Sequence, residues 1–426
     1  MMEVGWQNMV RAMARTFGPG LSVRHANATP IRLTLRICNY AHIAHAYGED
    51  VAEDVVAELS RRLGLALPSS ARIAQRPNGI LLATLGDDLE LADDVIAALI
   101  LAWFPTFCSA VMGSPVETRA GRLCVWLSGD WDVSTCQNGR LFAFGGHPVE
   151  DSIEAAAHYR ADMELAADLM PLLLPDATVK MKDGRGLFLY WQPIVDSGPG
   201  STLYYESLLR PCGRDGAFQS SETLMRALER LGFACLLDRY VASAVLDELE
   251  ATPDVTLAIN VSAQSLACDH WWGEIDARLR RRPDVARRLV WEITETTHVF
   301  DLAPAVALIE TFKSRGCKVA LDDFGVGFAS IQQLRLFSPD IIKIDKLYLG
   351  RAMETQQDGT IFRRIVGLAR SFGAEVVVEG VETPMQAELV RTTEANWQQG
   401  FLVGVPSAER PWRLPDSAVV LRLQGA

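Results

Sequence analysis

The sequence predicts an α/β protein in two parts, a (β/α)8 barrel of the TIM type preceded by a smaller α+β domain. Three observations carry this reading. From Gly186 onward, brief runs rich in Val, Ile and Leu alternate with helical patterns, the order of a parallel sheet with crossover helices. Those runs end in polar residues: Asn260 after TLAI, Glu292 in LVWEITE, Asp322 in VALDD, Lys343 in DIIKID, Glu379 in EVVVEGVE and Gln399 in WQQG. From Asn260 these ends recur 20 to 36 residues apart, close to one βα unit when ~250 residues are divided among eight. Finally, the stretch from Lys318 to Asp345 holds two short apolar runs, and adjacent carboxylates, Asp322 and Asp323, stand where the first run stops. Chemistry in such barrels sits at the carboxyl ends of the strands.

Taken in order, MMEVGWQNMVRAMARTFG lacks a basic start followed by an apolar core, so residues 1–30 read as an amphipathic helix and extension, not a signal peptide. Ile31 to Ile37 alternates as a strand, and Asp50 to Gly64 sets Val51, Val55, Leu59 and Leu63 on one helical face. Ile73 to Leu85, around Pro77, Asn78 and Gly79, reads as strand, tight turn and strand. Another helix is expected from Leu89 and a strand over Arg122 to Leu127. These make a domain over residues 31–150. Ser152 to Leu174 reads as a helix inside a linker over 151–180, and the barrel occupies 181–426. In the barrel, Asp301 caps a helix, Pro304 sits in its first turn and Gly316 closes it.

Composition narrows the function classes. Hydrophobic residues make up 49% and charged residues 22% of 426 residues, the balance of a folded globular protein too long for one ordinary core. A net charge of -12 disfavours binding of a nucleic-acid polymer or an anionic membrane. Val95 to Met112 carries no charge, but Pro105 interrupts it and no Lys/Arg cluster flanks it, so a buried helix is expected rather than a span. The 8 cysteines are scattered without a C-x-x-C pair, which fits free thiols in a reducing cytoplasm.

The polar strand ends, if they share a barrel mouth, make an oxygen-donor cage for Mg²⁺ or Mn²⁺. Two neighbouring carboxylates aimed at one pocket repel unless a cation holds both ionised. The alternatives at this point are a loop in which Asp322 and Asp323 merely cap, or a cluster of solvated acids. Upstream, LYYESLLRP supplies Glu206, Leu208 and Arg210, which point the same way on a strand. A carboxylate and a guanidinium then face one cavity, fit for a metal and a phosphate oxygen.

With these residues in hand, the second half resembles the EAL family of bacterial cyclic di-GMP phosphodiesterases. The resemblance runs from about Gly186 to Trp412 through YWQPIV (190–195), YESLLR (205–210), INVS (259–262), EITET (292–296), LDDFGVGFAS (321–330), IKID (342–345), VEGVET (378–383) and QGFL (399–402). It implies a two-metal hydrolase that opens cyclic di-GMP to linear pGpG. Glu206, Asn260, Glu292 and Asp322 would hold one metal. Asp322, Asp323 and Glu379 would surround the second. Lys343 and Glu379 would act on the attacking water, and Glu295 would brace the loop from Phe324 to Ser330. Gln192, Leu208, Arg210, Glu382 and Gln399 would meet substrate or trim its position. A homodimer is implied as well.

Departures from the family pattern are Ser207 within the signature triplet, Val326 and Phe328 in the bracing loop, and Val405 where a basic residue usually precedes the proline. The first domain resembles, more weakly, a degenerate GGDEF domain from about Ile31 to Asp130, carried by AYGEDVAEDVVAELSRRL. Arg36 and Cys38 stand at its metal-binding positions and Pro77, Asn78 and Gly79 at its signature loop, so no diguanylate cyclase activity is expected. The competing reading is a catalytically silent cyclic di-GMP receptor or scaffold that signals through this domain.

Overall fold

The structure, a computed structural model, describes residues 31–67, 70–85, 111–112, 115–133, 136–140, 152–169, 186–198, 200–212, 220–267, 269–294, 302–325 and 331–413. The N-terminal helix, the helix from Leu89, most of the uncharged stretch Val95 to Met112, Met170 to Leu174, Glu295, Asp301 and the loop from Val326 to Ser330, with Phe328, lie outside the described residues. Two compact units form: residues 1–182 with 222–236, and residues 183–221 with 237–426.

In the first unit, strands β1 (Ile31–Ile37), β2 (Arg72–Arg76), β3 (Ile80–Leu85), β6 (Leu127–Val133) and β7 (Cys136–Arg140) make an antiparallel sheet of order β2-β3-β1-β6-β7. Helices α1 (Tyr40–Tyr47) and α2 (Glu49–Ala66) follow β1, and α3 is Ile153–Leu169. The α2 face foreseen from the sequence is buried: Val51, Val55, Leu59 and Leu63. The β2-β3 turn needs φ +59 at Asn78 and +68 at Gly79, and a Cβ at Gly79 would stand 2.7 Å from the Tyr40 ring.

The strand expected over Arg122 to Leu127 is instead broken. β4 (Val116–Thr118) and β5 (Gly121–Leu123) form a hairpin, and the sheet resumes at β6. The reason is Asn39, whose side chain takes the backbone groups between them. Its Nδ2 donates to the Cys124 carbonyl at 3.0 Å, and its Oδ1 accepts from Trp126 N–H at 3.1 Å. With those groups satisfied by a buried side chain, the chain has no need of a ladder there.

The second unit opens with β8 (Gly186–Asp196) and β9 (Thr202–Cys212). Helix α4 (Ser221–Leu231) follows in sequence yet packs within the first unit, where Arg230 makes two 2.6 Å hydrogen bonds to Asp162 of α3. The chain then runs α5 (Ala234–Ala251), β10 (Leu257–Ser262), α6 (Asp269–Arg281), α7 (Pro283–Ala286), β11 (Leu289–Thr294) and α8 (Leu302–Arg315). After these come β12 (Lys318–Phe324), α9 (Ile331–Phe337), β13 (Ile341–Ile344), α10 (Lys346–Ala352), α11 (Gln356–Ser371), β14 (Glu375–Val378), α12 (Pro384–Arg391) and β15 (Trp397–Gln398). Gly316 ends α8 with φ +99, as its placement in the sequence requires.

Strands β8 to β15 close into an eight-stranded barrel, so the expected architecture holds. One strand departs from the all-parallel form: β8 runs antiparallel to both neighbours, β9 and β15. Only residues 197–201 separate β8 from β9. A connection of that length turns a hairpin, whereas a parallel crossover needs about a dozen residues or more.

Candidate active site

The site is built by strand register. The barrel interior beneath the site is filled by a packed cluster of Ile194, Tyr204, Ala258, Val290, Ala320, Ile341 and Val377, one residue from each of β8 to β14, with Trp397 of β15 packed against them. Side chains repeat their direction every second residue along a strand. Two residues further on, toward the carboxyl ends, stand Glu206, Asn260, Glu292, Asp322, Lys343, Glu379 and Gln399. On β8, which runs the other way, the matching step goes backward from Ile194 to Gln192. An apolar floor therefore carries a polar layer directly above it, and every member of that layer is a residue the sequence reading selects.

Lys343 is the hub, 1% exposed. Its Nζ lies 2.8 Å from Glu379 Oε1, 2.9 Å from Glu292 Oε2, 2.9 Å from Asp322 Oδ1 and 3.3 Å from Glu206 Oε2. The amides fill in around Glu206: Asn260 Nδ2 donates to Oε1 at 2.7 Å and Gln399 Nε2 donates to Oε2 at 2.6 Å. Gln399 also donates to Gln192 Oε1 at 3.1 Å, and Gln192 in turn donates to the Gly404 carbonyl at 3.0 Å.

Asp322 and Asp323 share the site only because β12 is irregular. On a regular strand adjacent side chains point to opposite faces. Here the β12-β13 register shifts between Leu321 and Phe324, and Asp323 takes φ +53, a conformation a residue with a Cβ adopts at a cost. The result brings carboxylate oxygens of Asp322, Asp323 and Glu379 within 4.8 Å of one another, beside a second trio of Glu206, Glu292 and Asp322.

One ammonium cannot keep this many buried carboxylates ionised. Burial pushes Glu292 up to about 8, opposed by Lys343 and reinforced by Glu206 and Asp322. Burial and the neighbouring Asp322 carboxylate push Asp323 up to about 7, and burial also raises Asp322 and Glu379. For Glu206 the cost of burial is outweighed by Lys343, Asn260 and Gln399, so its carboxyl is held below the usual range. Burial works against the Lys343 cation, but the four carboxylates outweigh it and keep the amine charged.

Other expected residues lie apart from this hub. Arg210 shares the parity of Glu206 on β9, packs over the Tyr190 ring at 5.6 Å and donates to the Leu209 carbonyl. Leu208 is half-buried opposite Tyr190. Glu382 is exposed before α12, and among the described residues no hydrogen bond or ion pair joins its side chain to the cage. Ser207, whose hydroxyl the sequence sets beside a metal ligand, points the other way: its Oγ donates to the Ala258 carbonyl at 2.7 Å. The residue missed by sequence reasoning is Tyr204. The signal available was its spacing, two residues before Glu206 and thus on the same inward face.

Comparison with known proteins matches residues 176–406 to the EAL domain family. The chain belongs to this family. Among EAL relatives, it is 29% identical to the cyclic di-GMP phosphodiesterase PdeF of Escherichia coli over 223 residues, covering 51% of this chain and 30% of that protein. It is 27% identical to the bifunctional diguanylate cyclase/cyclic di-GMP phosphodiesterase MucR of Pseudomonas aeruginosa, covering 61% of this chain and 38% of that one. An uncharacterized protein of Azorhizobium caulinodans is 24% identical, covering 84% and 49%. The chain thus spans about half or less of the length of these curated relatives. Among solved structures, the PaMucR phosphodiesterase in complex with c-di-GMP is 25% identical, with a TM-score of 0.50 over 60% of this chain and 99% of that one. The Vibrio cholerae LapD S helix-GGDEF-EAL structure, bound to c-di-GMP, is 16% identical with a TM-score of 0.51 over 94% and 93%, a likeness of fold alone.

The EAL cage fits a hard divalent cation on its own chemistry. Its donors are carboxylate and amide oxygens, the set that suits Mg²⁺ and Mn²⁺. Two of them, Asn260 Oδ1 and Glu292 Oε1, are buried without a hydrogen-bond donor. A buried acceptor left unpaired is costly, and coordination to a cation would remove that cost.

Proposed function

We propose that this EAL protein hydrolyses cyclic di-GMP to linear pGpG with two Mg²⁺ or Mn²⁺ ions. The observation that carries the reading is the polar layer itself, four carboxylates within 3.3 Å of one buried ammonium, with every expected donor position filled. Glu206, Asn260, Glu292 and Asp322 would hold one ion, and Asp322, Asp323 and Glu379 the other. When bound, such ions lower the pKa of an intervening water and stabilise charge on the entering and leaving oxygens.

The chain's own residues supply position and proton handling. Lys343 and Glu379 form a 2.8 Å pair at the centre, fit to orient the attacking water and take its proton. Lys343 is held charged by Asp322, Glu206, Glu292 and Glu379, and would give up its proton more readily were that carboxylate field offset by bound metal. Gln399 and Gln192 hold Glu206 from the side, Arg210 presents a guanidinium for a phosphate oxygen, and Leu208 and Glu382 line the substrate side. Glu295 belongs to this reading as the brace of the loop after Phe324. A receptor that binds without turnover gives no reason for a complete donor set.

The first unit is proposed to be a degenerate GGDEF domain acting as a scaffold in a homodimeric, cytoplasmic protein. Its β1 carries Arg36 and is followed by Cys38 where acids would hold a nucleotide's metal, and its β2-β3 turn is Pro77-Asn78-Gly79. Among the described residues no helix is long and apolar enough to cross a membrane.

The test is incubation of purified protein with cyclic di-GMP and Mg²⁺ or Mn²⁺, with pGpG followed by chromatography. Turnover is expected with either ion, lost in Glu206→Ala and Asp322→Ala, and absent with Ca²⁺, which tolerates looser geometry. Tight binding of cyclic di-GMP without pGpG would establish the receptor instead.

A further inference from the structure

The floor of the cage contains one feature that packing does not explain. Among its seven buried members, six are Ile, Val or Ala, and the seventh, Tyr204, brings a hydroxyl into the apolar layer. Tyr204 is 1% exposed. A phenylalanine would fill the same space without burying a polar atom, so the hydroxyl needs a partner. Tyr204 Oη and Glu292 Oε1 are both buried without a hydrogen-bond partner at ordinary geometry. Glu292 is also the charged group that acts most strongly on the phenol.

Tyr204 lies on β9 and Glu292 on β11, with β10 between. The floor residue of β10 is Ala258, which projects only a methyl, and β12 contributes Ala320. Small neighbours leave a large ring free to lean across toward Val290 and the carboxylate standing two residues above it.

We propose that Tyr204 is a positioning residue for Glu292, its hydroxyl donating to Oε1 from below so that the carboxylate is held upright in the cage. This rests on the metal-dependent reading above. A carboxylate fixed by an outer partner loses rotamer freedom before it meets a cation, and such partners affect metal affinity by about 10- to 100-fold. Tyr204 touches neither substrate nor reacting atoms.

The experiment is titration of the full chain with Mn²⁺ alone, read by the electron paramagnetic resonance of the free ion, for the parent and Tyr204→Phe. The expected result is Mn²⁺ affinity weakened by about tenfold or more and a fall in kcat with KM for cyclic di-GMP unchanged. Tyr204→Leu, which lacks the hydroxyl in a smaller frame, gives the same weakening and serves if the first variant does not fold. Unchanged Mn²⁺ affinity in either variant overturns the role of Tyr204 and leaves the metal-dependent reading standing. A parent that takes up no Mn²⁺ overturns both.

Discussion

Removing the ammonium at the hub should expose how much of the barrel's stability it carries. In Lys343→Met the side chain keeps its approximate volume, while Glu206, Glu292, Asp322 and Glu379 lose a cation now 2.8 to 3.3 Å away. Each contact is worth about 5–6 kcal/mol of Coulomb attraction at an effective dielectric near 20. Most of that is spent on desolvating the charges, and breaking buried pairs costs about 3–5 kcal/mol. For a domain of this size that lowers the thermal midpoint by roughly 6–20 °C. The loss depends on pH. A carboxyl whose folded pKa is raised stabilises the fold below its unfolded pKa, and that contribution is lost as pH rises through the folded pKa. With Glu292 raised to about 8 and Asp323 to about 7, the variant should suffer least near pH 6, where these groups are protonated, and most above pH 8. The assay is calorimetric melting of parent and variant in chelator at both pH values, then with Mn²⁺ at the higher one, where a bound divalent ion should recover the midpoint. An equal loss at both pH values, or none, would refute the idea that Lys343 neutralises this cluster.

Three further outcomes follow from the same geometry. Protons compete with metal at Glu292 and Asp323, so Mn²⁺ affinity should fall between pH 8.5 and 6.5, by up to about tenfold per pH unit for each proton displaced; a flat titration profile speaks against these groups as ligands. Ser207→Ala should leave turnover unchanged, since the hydroxyl faces the Ala258 carbonyl and not the cage, while denaturant unfolding shows about 1 kcal/mol of lost stability. Gly325→Ala should destabilise the barrel by about 1–3 kcal/mol and lower activity, because φ is +101 there and a Cβ would lie 2.7 Å from the Tyr348 ring, whose hydroxyl donates to the Gly325 carbonyl just past Asp323. A fully stable and active alanine variant would show that this turn does not hold the Asp322–Asp323 bulge.

The amino-acid sequence by itself determined the alternation of strands and helices, the barrel, and the side chains that meet in the polar layer at its mouth. These are local patterns, because a buried strand is a short apolar run and its mouth-facing residue comes at its end, so chain order suffices to list them. Tertiary structure decided the rest. The hairpin length that reverses β8, the bulge that turns Asp322 and Asp323 to one side, and the outward hydroxyl of Ser207 all depend on how one strand pairs with the next. The Asn39 side chain that breaks the strand between Leu123 and Leu127 lies more than eighty residues away in the chain. Tyr204 is the clearest case: its sequence neighbours assign it to the inward face, but only a floor of alanines on two other strands gives its hydroxyl a path to Glu292. Period and polarity are properties of a segment, whereas register and the space beside a side chain belong to segments that the sequence does not place next to one another.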